Sequence, residues 1–421
     1  MVIRKISYYR VIVSLCLFMF LLSPVFGDEI SAVSFDKELP ENNIVTIQPD
    51  SLRILHNPLT GWVLYASMGV DAADFWAQYD HMYIPELGHN VSVTDYAHTL
   101  YIRASWTDFN PQEDVYGWKI DSNLRAYIEG AYQRNMRLAF RVVVDSRDKR
   151  TEFTPQFVKD AGAKGFMNKG KWSPYSDDSV FQKYYTKFVK ALAKDFNDPS
   201  KVEFIDGFGL GKWGEYHTMI YSTGDDTPKK AVFDWVTDIY SQAFDKVPVV
   251  INYHRWIGAG KDWVDDEHFA ADSEEMLEEA IKKGYSLRHD AFGMTTYYGS
   301  WERRFAKKYR NICPIIMEGG WIVKSHSYWQ DPRGYRKDSH EDVRRGEFDD
   351  SKEAHVNMMD FRFGDTEFWF KDAFDLVRRF LREGGYRLYP CEISLPLEVS
   401  KKTTPTIKHC WNNMGWGYCP T

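Results

Sequence analysis

From residue 60 onward, short apolar runs alternate with amphipathic stretches. That alternation is the pattern of strands buried between helices, and it excludes an all-β or all-α domain. Eight segments read as strands: 61–67, 99–105, 137–145, 202–210, 247–253, 291–298, 312–318 and, with the weakest pattern, 354–361. Helices are predicted over 121–135, 179–197, 228–244, 273–283, 300–309 and 365–382; several open on a Ser or Asp cap, and the last stops at Gly384-Gly385. Eight such units make an α/β chain that closes into a (β/α)8 TIM barrel. A doubly wound open sheet is the alternative, but the glycine-rich phosphate loop usual after its first strand is missing from the sequence. Residues 320–350 read as a long charged connection, and the tail 386–421 opens like a further β segment, Tyr386-Arg387-Leu388-Tyr389, before Pro390, Pro396 and Pro405. Connections of that length inside a compact domain are usually functional or disordered. The predicted organisation is a signal peptide over 1–27, an extension over 28–54, the barrel over 55–385 and a short cysteine-containing tail over 386–421.

Composition narrows the function classes. The 421 residues are 44% hydrophobic and 27% charged, which is ordinary for a globular chain and excludes a disordered one. The formal charge of −7 includes Arg4, Lys5 and Arg10, so without the first 27 residues the chain is nearer −10, and nucleic acid is not an expected partner. With 15 Trp and 26 Tyr the chain carries many flat rings, suited to sugar faces as well as to a core. The basic start, the 16-residue apolar run from Val11 to Phe26 and the small residue Gly27 before Asp28 read as a secretory signal. The run is shorter than the roughly 20 residues of a membrane span, so no stable span is expected once it is cleaved. The expected location is secreted, periplasmic or at the cell surface; an uncleaved anchor is the alternative. Export permits disulfides. Beyond Cys16 the cysteines are Cys313, Cys391, Cys410 and Cys419; a Cys410–Cys419 loop is the first expectation, with Cys313 a buried thiol. The 12 histidines are scattered without H-x-H or H-E-x-x-H, and no G-x-S-x-G occurs, so neither a metal nor a cofactor nor a nucleophilic serine is expected. Oligomeric state is not legible.

In such a barrel, residues just past the C-terminal strand ends face one cavity. Two acids stand out there. The fourth strand leads through Gly211-Lys212-Trp213-Gly214 into Glu215, and the seventh, Pro314-Ile315-Ile316-Met317, meets Glu318. They lie 103 residues apart across three βα units, about 34 residues per unit, which matches the repeat of a barrel of this size. Either alone fits a structural role: Glu215 as a helix cap or partner of Lys212, Glu318 as partner of a buried arginine. Together, on strands that face each other across the mouth, they supply what glycoside hydrolysis needs, one carboxyl to protonate the leaving oxygen and one to attack or to activate water. Arg103 and Arg141 interrupt apolar strands, and a buried guanidinium must be paired; Glu318 is one candidate partner, by which an arginine would lower its pKa, and Asp145 or Asp206 are the others. Trp106, Trp213, Trp256 and Trp321 fall just past strand ends as stacking candidates, two of the four being expected to stack, and His254 follows strand five as a candidate for a substrate hydroxyl. Asn357, on the doubtful eighth strand, is a weaker candidate outside the catalytic set.

The order Asn57-Pro58, Gly61-Trp62, Arg103-Ala104-Ser105-Trp106, Pro111, Tyr116-Gly117-Trp118 and Gly211-Lys212-Trp213-Gly214-Glu215 resembles the barrel of bacterial glycosidase-like proteins related to the retaining clan A glycoside hydrolases, over residues 55–385. The resemblance implies Glu215 as acid/base and Glu318 as nucleophile of a retaining hydrolase acting on an oligo- or polysaccharide. It also implies that Tyr297 or Tyr298 hydrogen-bonds the nucleophile, one facing inward and the other packing. Two departures stand out: the family usually has Asn where this chain has Gly214, and its barrels are often followed by a β-sandwich where this chain has only the 386–421 stub. A carbohydrate-binding barrel without catalysis is the rival reading, and an inverting hydrolase using the same glutamates is a third.

Overall fold

The computed structural model describes residues 42–147, 151–260, 267–292, 297–320, 340–362, 364–402 and 404–420. Eight strands, β1 (Gly61–Tyr65), β2 (Ala97–Ser105), β3 (Arg137–Val143), β4 (Val202–Asp206), β5 (Val249–Asn252), β6 (Ser286–Phe292), β7 (Ile315–Gly319) and β8 (Met358–Asp360), close into a barrel in chain order. Every neighbouring pair is parallel, β8 with β1 included. The expected (β/α)8 architecture is therefore the one formed. Helices follow each strand: Ala72–Asp80, Ser122–Gln133, Ser179–Phe196, Lys229–Ala243, Glu267–Lys282, Ser300–Tyr309, His340–Glu353 and, after β8, the pair Thr366–Asp372 and Phe374–Glu383. Their starts follow from capping chemistry. Asp121 accepts from the Leu124 amide at 2.7 Å and Asp178 from the Phe181 amide at 2.9 Å, satisfying donors that a helix leaves orphaned.

Strand alternation sorts the barrel into layers. Val63, Tyr101, Ala139, Phe204, Val250, Ile316 and Met358 form one apolar cluster in the lumen, while Trp62, Leu64, Leu138, Ile205, Ile251 and Met317 belong to the larger core under the helices. Two residues further along the strands the lumen becomes polar, with Arg103, Arg141, Asp206, Asn252, Glu318 and Asp360 taking the next inward positions. At the opposite, N-terminal end of the barrel, the Asn357 amide donates to the carbonyls of Leu59 at 3.3 Å and Tyr418 at 2.7 Å, and its oxygen accepts from the Tyr418 amide at 3.1 Å. Asn357 thus belongs to the closed base.

Several boundaries differ from expectation. Strand six begins at Ser286, five residues before the predicted 291–298, because its inward positions are Arg288 and Asp290 and the segment carries no apolar run. The fourth strand ends at Asp206 rather than at 210, since Gly209 takes a left-handed φ of 67° that no strand continues through. The second half of the supposed 320–350 connection is the helix His340–Glu353, and the single helix predicted over 365–382 breaks at Ala373. A smaller unit comprises the described residues 42–48, 390–411 and 420. The tail supplies two strands, Leu388–Pro396 and Lys408–Asn413, and Asn42–Thr46 pairs antiparallel with the first of them to make a three-stranded sheet. All four described cysteines are free thiols. Cys410 is hydrogen-bonded to Cys391 of the adjacent strand, which raises its pKa, so its neighbour differs from the expected Cys419. Burial pushes Cys313 up to about 12. Residues 1–41, with the proposed signal and Cys16, lie outside the described residues, among which no helix is long and apolar enough to cross a membrane.

Barrel closure rests on aromatic packing. Trp62 of β1 is fully buried, stacks on Phe361 at 4.4 Å, meets Trp369 edge-on at 4.7 Å and donates its indole N–H to the Val377 carbonyl at 3.0 Å. Trp62→Ala removes that wedge between the first strand and the last helices, and chemical denaturation should show a loss of about 3–5 kcal/mol.

Candidate active site

The residues of the polar layer are joined by a lattice of ion pairs. Arg141 on β3 contacts Asp206 on β4, with Nε at 2.5 Å from Oδ2, and reaches across the lumen to Asp290 on β6. Arg288 rises from β6 to meet Asp290 at 2.6 Å, Glu318 at 2.7 Å and Asp360 at 2.8 Å, with Asp206 at 3.5 Å. Tyr101 donates its hydroxyl to Asp206 at 2.9 Å, and its ring lies 4.5 Å from the Arg288 guanidinium. Arg103 holds the Tyr65 hydroxyl at 3.3 Å and the Trp213 carbonyl at 2.7 Å. Arg103 and Arg141 each stand 3.8 Å from the Glu215 carboxylate.

Glu215 reaches this lattice from a loop of unusual backbone. Between residues 209 and 218, positive φ occurs at Gly209, Gly211, Trp213, Gly214, Tyr216 and Thr218. Left-handed Trp, Tyr and Thr residues are strained and persist only where the surroundings over-determine them. Here they do. The Trp213 carbonyl is held by Arg103, that of Glu215 by His254 at 2.7 Å, that of Tyr216 by the Gly258 amide at 2.8 Å, that of His217 by the Lys212 amide at 3.1 Å and that of Thr218 by Arg147 at 2.5 Å. Gly214 has φ 76°, and a Cβ there would lie 3.2 Å from Val143 and 3.3 Å from Arg141. The Asn usual before the acid/base in the resembled family would be both strained and crowded at this position.

The sequence candidates separate into those that meet at the mouth and those that do not. Glu215, Glu318 and Arg103 converge there. His254 donates from Nε2 to the Glu215 carbonyl and accepts at Nδ1 from the Trp256 amide at 3.1 Å, which fixes its tautomer and makes it a support for the loop. Arg141 is fully buried beneath Glu215, and its acid partner is Asp206, one of the alternatives expected, with Asp290 as a second; Asp145 pairs with Arg147 instead. Trp106 is a correction: it is fully buried among Phe157, Phe181, Tyr185 and Phe188 under the helices, because the residue after β2 opens a short helix whose ring points to the outer core. Tyr298 is likewise buried, against His289 and Phe292, whereas Tyr297 lines a small cavity on the β4–β6 side of the mouth. Glu215, His217, Asn252, His254, Trp256, His289 and Asp290 complete that lining. Trp213 packs edge-on against His217 at 5.6 Å, with the Lys212 ammonium 4.1 Å from its ring. Trp321 lies outside the described residues.

Sequence reasoning missed Arg288, Asp290, Asp360 and His217, whose Nε2 stands 3.4 Å from Glu215. Charged residues at i and i+2 in the short segment between Leu287 and Phe292 were the available signal for the first two. The expected lowering of the Glu318 pKa is reversed. Burial, then the Asp290 and Asp360 charges, push it up to about 8, against the opposing pull of Arg288 and Arg103. Burial pushes Asp360 up to about 6. Asp290 is buried as well, yet the charges of Arg141 and Arg288 hold it well below the usual range. Among the described residues no group of three or more His, Cys, Asp and Glu is placed to hold a metal ion.

No protein-family model matches the sequence, and no curated protein matches it. Solved structures similar to it include an exo-β-1,4-mannosidase from Opitutaceae bacterium strain TAV5, at 12% identity and TM-score 0.43 over 80% of this chain and 58% of that one. Endo-glycoceramidase II from Rhodococcus sp. is similar at 13% identity and TM-score 0.46, over 79% of this chain and 80% of that one. A xylanase from Paenibacillus barcinonensis is similar at 6% identity and TM-score 0.42, over 72% and 83%. The likeness is one of fold.

Two outcomes follow from the site's geometry. A Cβ at Gly209 would sit 1.9 Å from the Val142 carbonyl in addition to requiring the left-handed φ, so Gly209→Ala should cost about 3–5 kcal/mol in denaturant unfolding. Glu318, with its pKa raised from 4.5 to about 8, keeps a proton in the folded state that the unfolded chain has released. Its contribution to stability is therefore full below pH 4.5 and is lost as pH rises to about 8, with a slope approaching 1.4 kcal/mol per unit. Melting curves of Glu318→Gln and the parent chain should accordingly diverge in favour of the variant as pH rises through that window.

Proposed function

We propose that the chain is an exported glycoside hydrolase that cleaves O-glycosidic bonds of an oligo- or polysaccharide by retaining double displacement. One observation carries the reading. Of the five carboxylates gathered around the arginines, Asp206, Asp290 and Asp360 have side chains 0%, 1% and 0% exposed, while those of Glu215 and Glu318 are 12% and 7% exposed. The two with the more exposed side chains are Glu215 after β4 and Glu318 near the end of β7, while Asp290 also borders the cavity beside Glu215.

In this mechanism Glu318, once ionised, attacks the anomeric carbon while Glu215 gives its proton to the departing oxygen, leaving a glycosyl ester on Glu318. Glu215, now a carboxylate, takes a proton from water as that water attacks the same carbon, and the ester bond breaks to restore Glu318. Arg103 and Arg141 each stand 3.8 Å from the Glu215 carboxylate and fix it at the mouth. Half-buried Tyr297 lines the cavity beside Glu215 together with the buried Trp256 and Asn252. The raised pKa of Glu318 favours the second reading, a barrel that binds sugar without cleaving it at neutral pH. The two readings part on whether any glycoside is turned over.

Assay of the full chain against a panel of aryl glycosides and oligosaccharides up to pH 9 should find hydrolysis with the product released initially in the substrate's anomeric configuration. Glu215→Gln and Glu318→Gln should each lower turnover by roughly 10²–10⁴-fold while the melting transition stays cooperative. Inverted product would replace the retaining mechanism by an inverting one. Sugar binding that survives both substitutions, with no hydrolysis by the parent chain, would establish the binding protein instead.

A further inference from the structure

The register of the barrel sets two carboxylates side by side. Glu318 and Asp360 are paired positions on β7 and β8, both inward, and like charges so placed repel. A single nitrogen of Arg288 lies between them, 2.7 Å from Glu318 Oε2 and 2.8 Å from Asp360 Oδ2. Asp360 is fixed on its other side by the Arg362 amide, which donates to Oδ1 at 2.9 Å. Arg288 itself comes from one layer lower, level with Ile316, and its Nε is committed to Asp290. One guanidinium nitrogen thus serves two buried acids.

We propose that Asp360 is a positioning residue for the nucleophile: it divides Arg288 with Glu318 so that the two side chains ionise as one unit, and attack by Glu318 waits on the pair's last proton. The inference rests on the hydrolase reading and assigns Asp360 a place in it. The groups facing Glu318 are Tyr65 on β1, Arg103 on β2, Arg288 and Asp290 on β6 and Asp360 on β8. With Asp206 also 3.5 Å from Arg288, the carboxylates outnumber the guanidiniums around the pair. Two carboxylates sharing one site cannot both ionise readily, and the second proton leaves at a raised pH. The direction agrees with the upward shifts of both Glu318 and Asp360.

Asp360→Asn keeps the shape and one acceptor oxygen while removing the charge. The ionisation limb of Glu318, followed as loss of its protonated-carboxyl infrared band with rising pH, should move to lower pH by about one unit in Asp360→Asn. A merely structural role for Asp360 would lower stability or kcat and leave the limb in place; that result overturns the proposal. Infrared difference spectra of parent against Glu318→Gln supply a readout without substrate or the Asp360 variant. Between pH 6 and 7.5 the parent should carry a protonated carboxyl that Glu318→Gln lacks, and its absence would equally overturn the pairing. A chain that cleaves no glycoside yet shows that carboxyl would lose the hydrolase reading alone, whereas cleavage with an unmoved limb would lose the role of Asp360 alone.

Discussion

The buried charge lattice is the constraint on which the rest of the molecule depends. Arg141 and Arg288 are fully buried in the barrel lumen, each bonded to two or more carboxylates from other strands. Removing such groups from water costs several kcal/mol per ion, and a well-packed apolar layer of equal volume is often as stable or more so. The apolar layer immediately below, Val63, Tyr101, Ala139, Phe204, Val250, Ile316 and Met358, demonstrates that these strands can pack one. Stability therefore does not account for the lattice. What it provides is a fixed pattern of charge at the mouth, with each guanidinium braced from several strands and little room for any one to move alone.

That pattern governs how the two exposed carboxyls differ. Glu318 belongs to a strand paired on both edges, at the same level as Asp360, and its environment is set by the barrel itself. Glu215 hangs from a loop whose carbonyls are captured one after another by Arg103, His254, Arg147 and backbone amides. The strand residue inherits its electrostatics from the lumen; the loop residue inherits its position from glycines and from the side chains that bind the turns they allow. The histidine and arginines expected to touch substrate do much of this holding.

Much of the barrel was legible because burial on both faces makes a parallel strand read as an apolar run. That signal fails where the inward positions are charged. Strand six, with Arg288 and Asp290 inside, gave no such run, and its misplacement by five residues hid the partner of Glu318. Glu215 and Glu318 were legible because position after a strand, order along the chain and spacing all converge on them. Trp106 satisfied the same positional rule yet faces the helices, since the residue following a strand can turn to either layer and only three-dimensional packing decides which. The elevation of the Glu318 pKa was out of reach for a related reason: it depends on how deeply the carboxyl is buried and on the charges of Asp290 and Asp360, which come from β6 and β8.

The glycine before Glu215 shows how the lattice reaches into the backbone. With Arg141 required beneath the loop to bridge Asp206 and Asp290, the space above its aliphatic stem is confined, and position 214 must also turn through a left-handed φ. A residue with a side chain would press on Val143 and the Arg141 stem by a few tenths of an ångström and carry the strain of the left-handed turn. Gly214 fits the turn and the space above Arg141, so it is not by itself a sign that the site has decayed. His217, 3.4 Å from Glu215, and Asn252 are polar side chains that border the cavity beside that carboxyl.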